Sequence, residues 1–110
     1  MLSKAYIPYK GYFSSPFARW QGSMANEHAI VLAAETAKRW LAEKNLDPKV
    51  FDYVYLGLTV HQHQGFYGGP WAAALMGAAG VPGLWVSQAC STSTVAVYSA
   101  AMGVETGLFK

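Results

Sequence analysis

Between residues 27 and 44 the apolar positions Ile30, Ala33, Ala34, Ala37 and Leu41 recur at intervals of three and four, while Glu35, Lys38, Arg39 and Glu43 fall off that stripe. This spacing predicts an amphipathic helix with one face toward a core. Asn26 is the expected N-cap, Glu27 suits the positive helix end, and Glu35 with Arg39 forms an i,i+4 pair of favourable orientation. Asn45 is placed to close the helix before an Asp47-Pro48 turn.

The pattern then changes period. Residues 51–60 carry Tyr53, Val54, Tyr55, Leu56, Leu58, Thr59 and Val60 with little polar interruption, as in a strand covered on both faces. Pro70 opens a short, almost wholly apolar helix over 71–79, with Gly80 as its stop. Residues 80–83, Gly-Val-Pro-Gly, turn into a second β-prone run over 84–86. A last helix runs from about Thr92 to Thr106, with Ala96, Ser99, Ala100 and Gly103 on a small-residue line that permits close packing and Gly107 as its C′ residue. Upstream, residues 5–9 read as a short strand ending near Pro8. Residues 12–22 read as an aromatic loop tucked onto the core by Phe13, Phe17 and Trp20. Strand, helix, strand, helix, strand, helix is an α/β order that places helices on the faces of a sheet.

Composition narrows the classes. A chain of 110 residues that is 53% hydrophobic has enough apolar side chains for one modest core and is a poor candidate for disorder. Eight basic against six acidic residues, scattered along the chain, give a net charge of +2 and no basic patch. Nucleic acid is therefore not an expected partner. A single cysteine forms no internal disulfide, and neither an apolar leader core nor an 18-residue apolar run is present, so a cytoplasmic chain with no membrane partner is expected. Aromatic content of 15% implies burial against something larger than the chain's own core.

Chemistry concentrates at Cys90. The run over 84–86 is β-prone and residues 95–105 carry helical spacing, so a strand passes into a helix at the only thiol. The free N–H groups and macrodipole of a helix N-terminus favour a thiolate, the nucleophilic form of cysteine. The residues alone leave open a buried, inert cysteine. In the polar loop over 61–69, His61 and His63 alternate with glutamines. A metal site would need a third ligand, and His28 and Cys90 stand at no recognisable spacing from them, so no metal is expected. A loop at the carboxyl end of a strand is where α/β folds place ligands.

Ser15-Pro-Phe-Ala-Arg-Trp-Gln-Gly22 resembles the Thr-Pro-Phe-Gly-Arg stretch that follows the first strand of the thiolases, and Val86-Ser-Gln-Ala-Cys90-Ser-Thr-Ser resembles their nucleophile segment. Gly80-Val-Pro-Gly83 also falls in the expected place between them. The resemblance spans essentially the whole chain and makes residues 1–110 look like the N-terminal part of a thiolase-like domain, a layered α-β-α fold with an incomplete sheet. It implies that Cys90 accepts an acyl group from a coenzyme A thioester, the substrate, for Claisen condensation or thiolytic cleavage of a 3-oxoacyl-CoA. No permanently bound cofactor is implied. It further implies a homodimer or tetramer, with the run over 84–87 at the two-fold.

The motifs Asn-Glu-Ala-Phe, Gly-His-Pro and Cys-x-Gly, which supply the family's oxyanion-hole Asn, activating His and second Cys, do not occur among these residues. His28, His61 and His63 match none of them. By the resemblance these 110 residues alone are catalytically incompetent, and either a longer protein or a second subunit completes the fold. An uncovered apolar edge would leave the isolated segment poorly soluble. Ala89-Cys-Ser-Thr-Ser is also similar to the nucleophile segment of ketoacyl synthases, which leaves a condensing enzyme of that type as one alternative. A non-catalytic thiolase-like partner subunit is another.

Overall fold

Two parallel strands, β1 (Val54–Gly57) and β2 (Gly83–Val86), form the centre of the chain, with Val54 opposite Gly83 and Gly57 opposite Val86. The structure, a computed structural model, describes all of residues 1–110. Helices α1 (Ala29–Glu43), α2 (Gly68–Leu75) and α3 (Thr92–Glu105) complete an α/β architecture with a small, incomplete sheet. The period-2 geometry of β1 sorts its side chains: Val54 and Leu56 turn toward α1 and α2, whereas Tyr55 and Gly57 face α3. The result is a layered α-β-α arrangement with α3 on one face and α2 plus α1 on the other.

The main core lies under α1 and α2. Ala34 and Ala37 meet Ala73, Met76 and Ala78, and beside them Ile30 meets Leu58 and Ala72. The stripe expected on α1 is buried at Ile30, Ala34, Ala37 and Leu41, but Ala33 is exposed. Small residues bring the layers close. A Cβ on Gly69 would lie 2.5 Å from the Leu84 nitrogen, so α2 starts against the backbone of β2. Across the sheet, a Cβ on Gly57 would touch Thr92 Cγ2 at 3.0 Å and Ala96 Cβ at 3.7 Å, which places the small-residue line of α3 on β1.

All three helices end in the same way. At Asn45, Gly77 and Gly107 the backbone turns left-handed, and the next amide reaches back five residues: Leu46 to Leu41, Ala78 to Ala73, Leu108 to Gly103. This is the Schellman closure. Asn45 and Gly107 are the expected terminators. Helix α2 stops at Gly77, not Gly80, because the left-handed residue already at 77 lets Ala78 close the motif at 2.8 Å.

Other expectations need correction. Residues 5–9 form no strand: the Ser3, Lys4 and Ala5 amides donate instead to the Glu105 carboxylate at the end of α3, and Gly11 turns back onto the Pro8 carbonyl. The sheet accordingly has two strands, not three. The strand expected over 51–60 is only four residues long, since a 3₁₀ turn at Pro48–Val50, capped by Asp47, precedes it. The N-cap of α1 is His28 and not Asn26, because residues 22–27 are taken up in turns closed by Ala25 N–H to Gly22 and Glu27 N–H to Met24. Pro70 sits inside the first turn of α2, two residues after its start at Gly68. Of the loop aromatics, Phe13 docks on Trp40 with ring centroids 5.5 Å apart, whereas Phe17 and Trp20 stand 98% and 87% exposed.

Candidate active site

The turn joining β2 to α3 carries Cys90. Strand β2 ends at Val86, α3 begins at Thr92, and the chain reverses through Ser87, Gln88, Ala89, Cys90 and Ser91. Ala89 lies in the left-handed region, φ 46°, which costs a non-glycine residue about 1–2 kcal/mol. That local strain is held by hydrogen bonds. Thr92, 3% exposed, accepts from the Gln88 amide at 2.8 Å and donates to the Ala89 carbonyl at 2.7 Å. Ser91 Oγ donates to the Gln88 carbonyl at 2.9 Å.

A second set of bonds ties this turn to the chain leaving β1. Thr59 Oγ1 donates to the Ala89 carbonyl, and Ser87 Oγ donates to the Thr59 carbonyl, both at 3.3 Å. Parallel pairing puts the carboxyl ends of β1 and β2 side by side, so the turn with Cys90 and the loop over 61–67 emerge at the same edge of the sheet. Thr92 and Thr59 were not singled out by the sequence. The run of four hydroxyl residues after Cys90 was the available signal, since Ser and Thr favour local bonds to backbone at helix starts.

Cys90 is a free, exposed thiol preceding α3. Ser91 occupies the N-cap position without a side-chain capping bond, so the first amides of α3 are not all served by the protein. Such a turn can hold a thiol open to an incoming electrophile. It brings no histidine into hydrogen-bond contact with it: His28 bonds the His63 carbonyl, and the His61 ring lies 5.2 Å from the Trp85 ring. No group of three or more His, Cys, Asp or Glu side chains is arranged to hold a metal ion.

The three principal clefts lie away from Cys90. One of about 380 Å³ runs between the N-terminal loop and α1, lined among others by Phe13, Ser15, Leu32, Arg39 and Trp40. The others are lined by residues such as Arg19 and Trp20, and Tyr53 and Phe109. Among the aromatic residues Trp20, Phe66 and Tyr67 are exposed, and Trp71 packs beside Ile30, Leu58 and Ala72.

The chain is thus a layered α/β unit that presents a lone, exposed cysteine on a strand-to-helix turn. A model of the thiolase N-terminal domain matches residues 12–110. The chain belongs to the thiolase family, a family of acyltransferases. Searches of curated proteins and of solved structures gave no match. No helix is long and apolar enough to cross a membrane.

Proposed function

We propose that Cys90 is the acyl-accepting nucleophile of a thiolase-type acyltransferase. The observation that carries this reading is the exposed Cys90 thiol on the β2–α3 turn, in a chain of the thiolase family. The thiolate attacks the carbonyl carbon of an acyl-CoA, the bond to the coenzyme A sulfur breaks, and the coenzyme A thiolate leaves with the electron pair and takes up a proton. An S-acyl enzyme remains. A second acyl-CoA, as its α-carbanion, then captures the acyl group in a Claisen condensation, or the reverse sequence cleaves a 3-oxoacyl-CoA.

The carbanion step needs a base and an oxyanion hole, and these come from residues other than the 110 described. The reading therefore assigns this chain the nucleophile's part of a shared site. A homodimer or tetramer is supported by the exposed apolar surface of Leu84, Val97 and Tyr98 on β2 and α3. The same surface suits a second subunit that completes the fold.

Mass analysis of peptides after brief incubation with acetyl-CoA, carried out on the protein together with the residues that supply the base and the oxyanion hole, tests the nucleophile directly. One acetyl group on the Cys90 peptide, absent from Cys90→Ser and released by free coenzyme A, is expected. An unacetylated Cys90 that still reacts fully with iodoacetamide would sink the proposal.

A further inference from the structure

The loop leaving β1 is held at two points by side chains from outside it, His28 at the start of α1 and Trp85 on β2. His28 Nδ1 accepts from the Ile30 amide at 3.2 Å, so that nitrogen carries no hydrogen, and Nε2 lies 2.6 Å from the His63 carbonyl, which can only accept. The ring is thereby held between the Ile30 amide and the His63 carbonyl. Its orientation is set further by an edge contact with Trp71, centroids 5.1 Å apart. Three residues on, the Phe66 carbonyl accepts from Trp85 Nε1–H at 3.1 Å, and Trp85 also meets the His61 ring. Between these anchors the loop makes only its own turn, Gly65 N–H to Gln62 and Gly68 N–H to Gly65.

We propose that His28 and Trp85 are positioning residues that clamp the 61–67 loop as a fixed rim beside Cys90, and that this clamp limits the size of the group Cys90 can accept. The proposal rests on the reading of Cys90 as acyl acceptor. Three facts join rim to thiol: the loop starts from Thr59, Thr59 is bonded to Ala89 immediately before Cys90, and Trp85 sits on the strand that delivers the turn. The rim presents Phe66 and Tyr67, 66% and 57% exposed and packed edge-to-face at 4.2 Å, an exposed apolar ledge.

His28→Asn separates the two tasks of the imidazole. Asparagine is a favoured N-cap and keeps α1 closed, but its shorter side chain cannot also reach His63. Trp85→Phe keeps an aromatic ring and removes the donor to Phe66. In the purified protein, Cys90 alkylation by iodoacetamide is compared with alkylation by the bulkier N-phenylmaleimide. Loss of one net hydrogen bond shifts an open-closed loop equilibrium about fivefold. The ratio of bulky to small reagent rates should rise by that factor in each variant, with the unfolding midpoint of His28→Asn lowered by no more than the loss of its contacts to His63 and Trp71 accounts for, and the preference for long over short acyl-CoA should rise with it.

An unchanged ratio in both variants overturns the clamp whether or not Cys90 takes up acyl groups. A raised ratio in a protein whose wild type accepts no acyl group upholds the clamp and overturns the acyl reading.

Discussion

Thr92 is the residue through which the Cys90 turn is fastened, and its two functions can be taken apart. Its hydroxyl makes two bonds, from the Gln88 amide at 2.8 Å and to the Ala89 carbonyl at 2.7 Å, and its methyl packs toward Gly57 on β1. Thr92→Val keeps the shape and removes both bonds. The Ala89 carbonyl retains the Thr92 amide and Thr59 Oγ1, both at 3.3 Å, so the unsatisfied group is the Gln88 N–H. At about 1 kcal/mol net per bond, the cost is about 2 kcal/mol. Thr92→Ser keeps the bonds and loses one buried methyl, about 1 kcal/mol. Thr92→Ala loses both and should cost about 3 kcal/mol, close to the sum. Urea unfolding followed by the fluorescence of the four tryptophans, at fixed protein concentration, reads the order Ser, Val, Ala through the midpoint with a constant slope. A Val variant within about 0.5 kcal/mol of wild type, with Ser the costlier change, would show that packing and not hydrogen bonding holds the turn.

Glu105 accepts from Ser3 and Lys4 backbone amides, Ser3 Oγ and the Ala5 amide, and these bonds hold its carboxyl down from 4.5 to about 2. A lowered folded-state value means that the tie is fully present above pH 4.5 and is lost as pH falls through about 2. Hydrogen exchange at Ser3 to Ala5 should be slow until that window and fast throughout in Glu105→Gln, and equal exchange in the two proteins would refute the tie. Gly69→Ala drives a Cβ into the Leu84 backbone and should cost about 3 kcal/mol or more, whereas Gly103→Ala meets a side chain, the Phe109 ring, which can shift where backbone cannot, and should cost less by the same unfolding assay. Ala89→Gly relieves the left-handed strain and should raise stability by up to about 1 kcal/mol, a gain that a loss of stability would contradict. Light scattering should find the isolated 110-residue chain self-associated, because Tyr6, Ile7, Phe17, Trp20 and Tyr98 are exposed, and a monodisperse, cooperatively folding monomer would count against that.

Periodicity located α1 and α3 closely because each is an amphipathic or small-faced helix ended by a residue suited to φ > 0, Asn45 or Gly107. It misplaced the end of α2 because Gly77 and Gly80 both suit the left-handed region and hydropathy does not rank them; the five-residue hydrogen bond from Ala78 does. Residues 5–9 have strand propensity, yet a strand needs a partner edge, and their neighbours' amides find the Glu105 carboxylate about a hundred residues away. No local pattern encodes that pairing. His28 as a cap was equally hidden, since histidine is not among the usual capping residues and the ring serves here because its other nitrogen is engaged at His63.

The candidate site divides along the same line. The strand-to-helix passage at Cys90 was readable because a change of period from two to 3.6 falls on it. The bonds that shape the passage were not, because they run between Thr59, Ala89 and Thr92, residues joined only once β1 and β2 lie parallel with their carboxyl ends together. Strain at Ala89 follows from the same geometry. A chain that must leave a strand, expose one side chain and enter a helix within five residues has few conformations available, and one of them places the residue before the exposed thiol at positive φ. Glycine at 89 would adopt that conformation without strain, but it would also free the turn when Thr92 lets go. Alanine keeps the Cys90 thiol presented only while the Thr92 and Thr59 bonds are intact, so displacement of Cys90 and loss of those bonds should be one event. The Thr92→Val variant reads this directly: its iodoacetamide reactivity at Cys90 should change together with its unfolding midpoint, and a destabilised variant with unaltered Cys90 reactivity would separate the two.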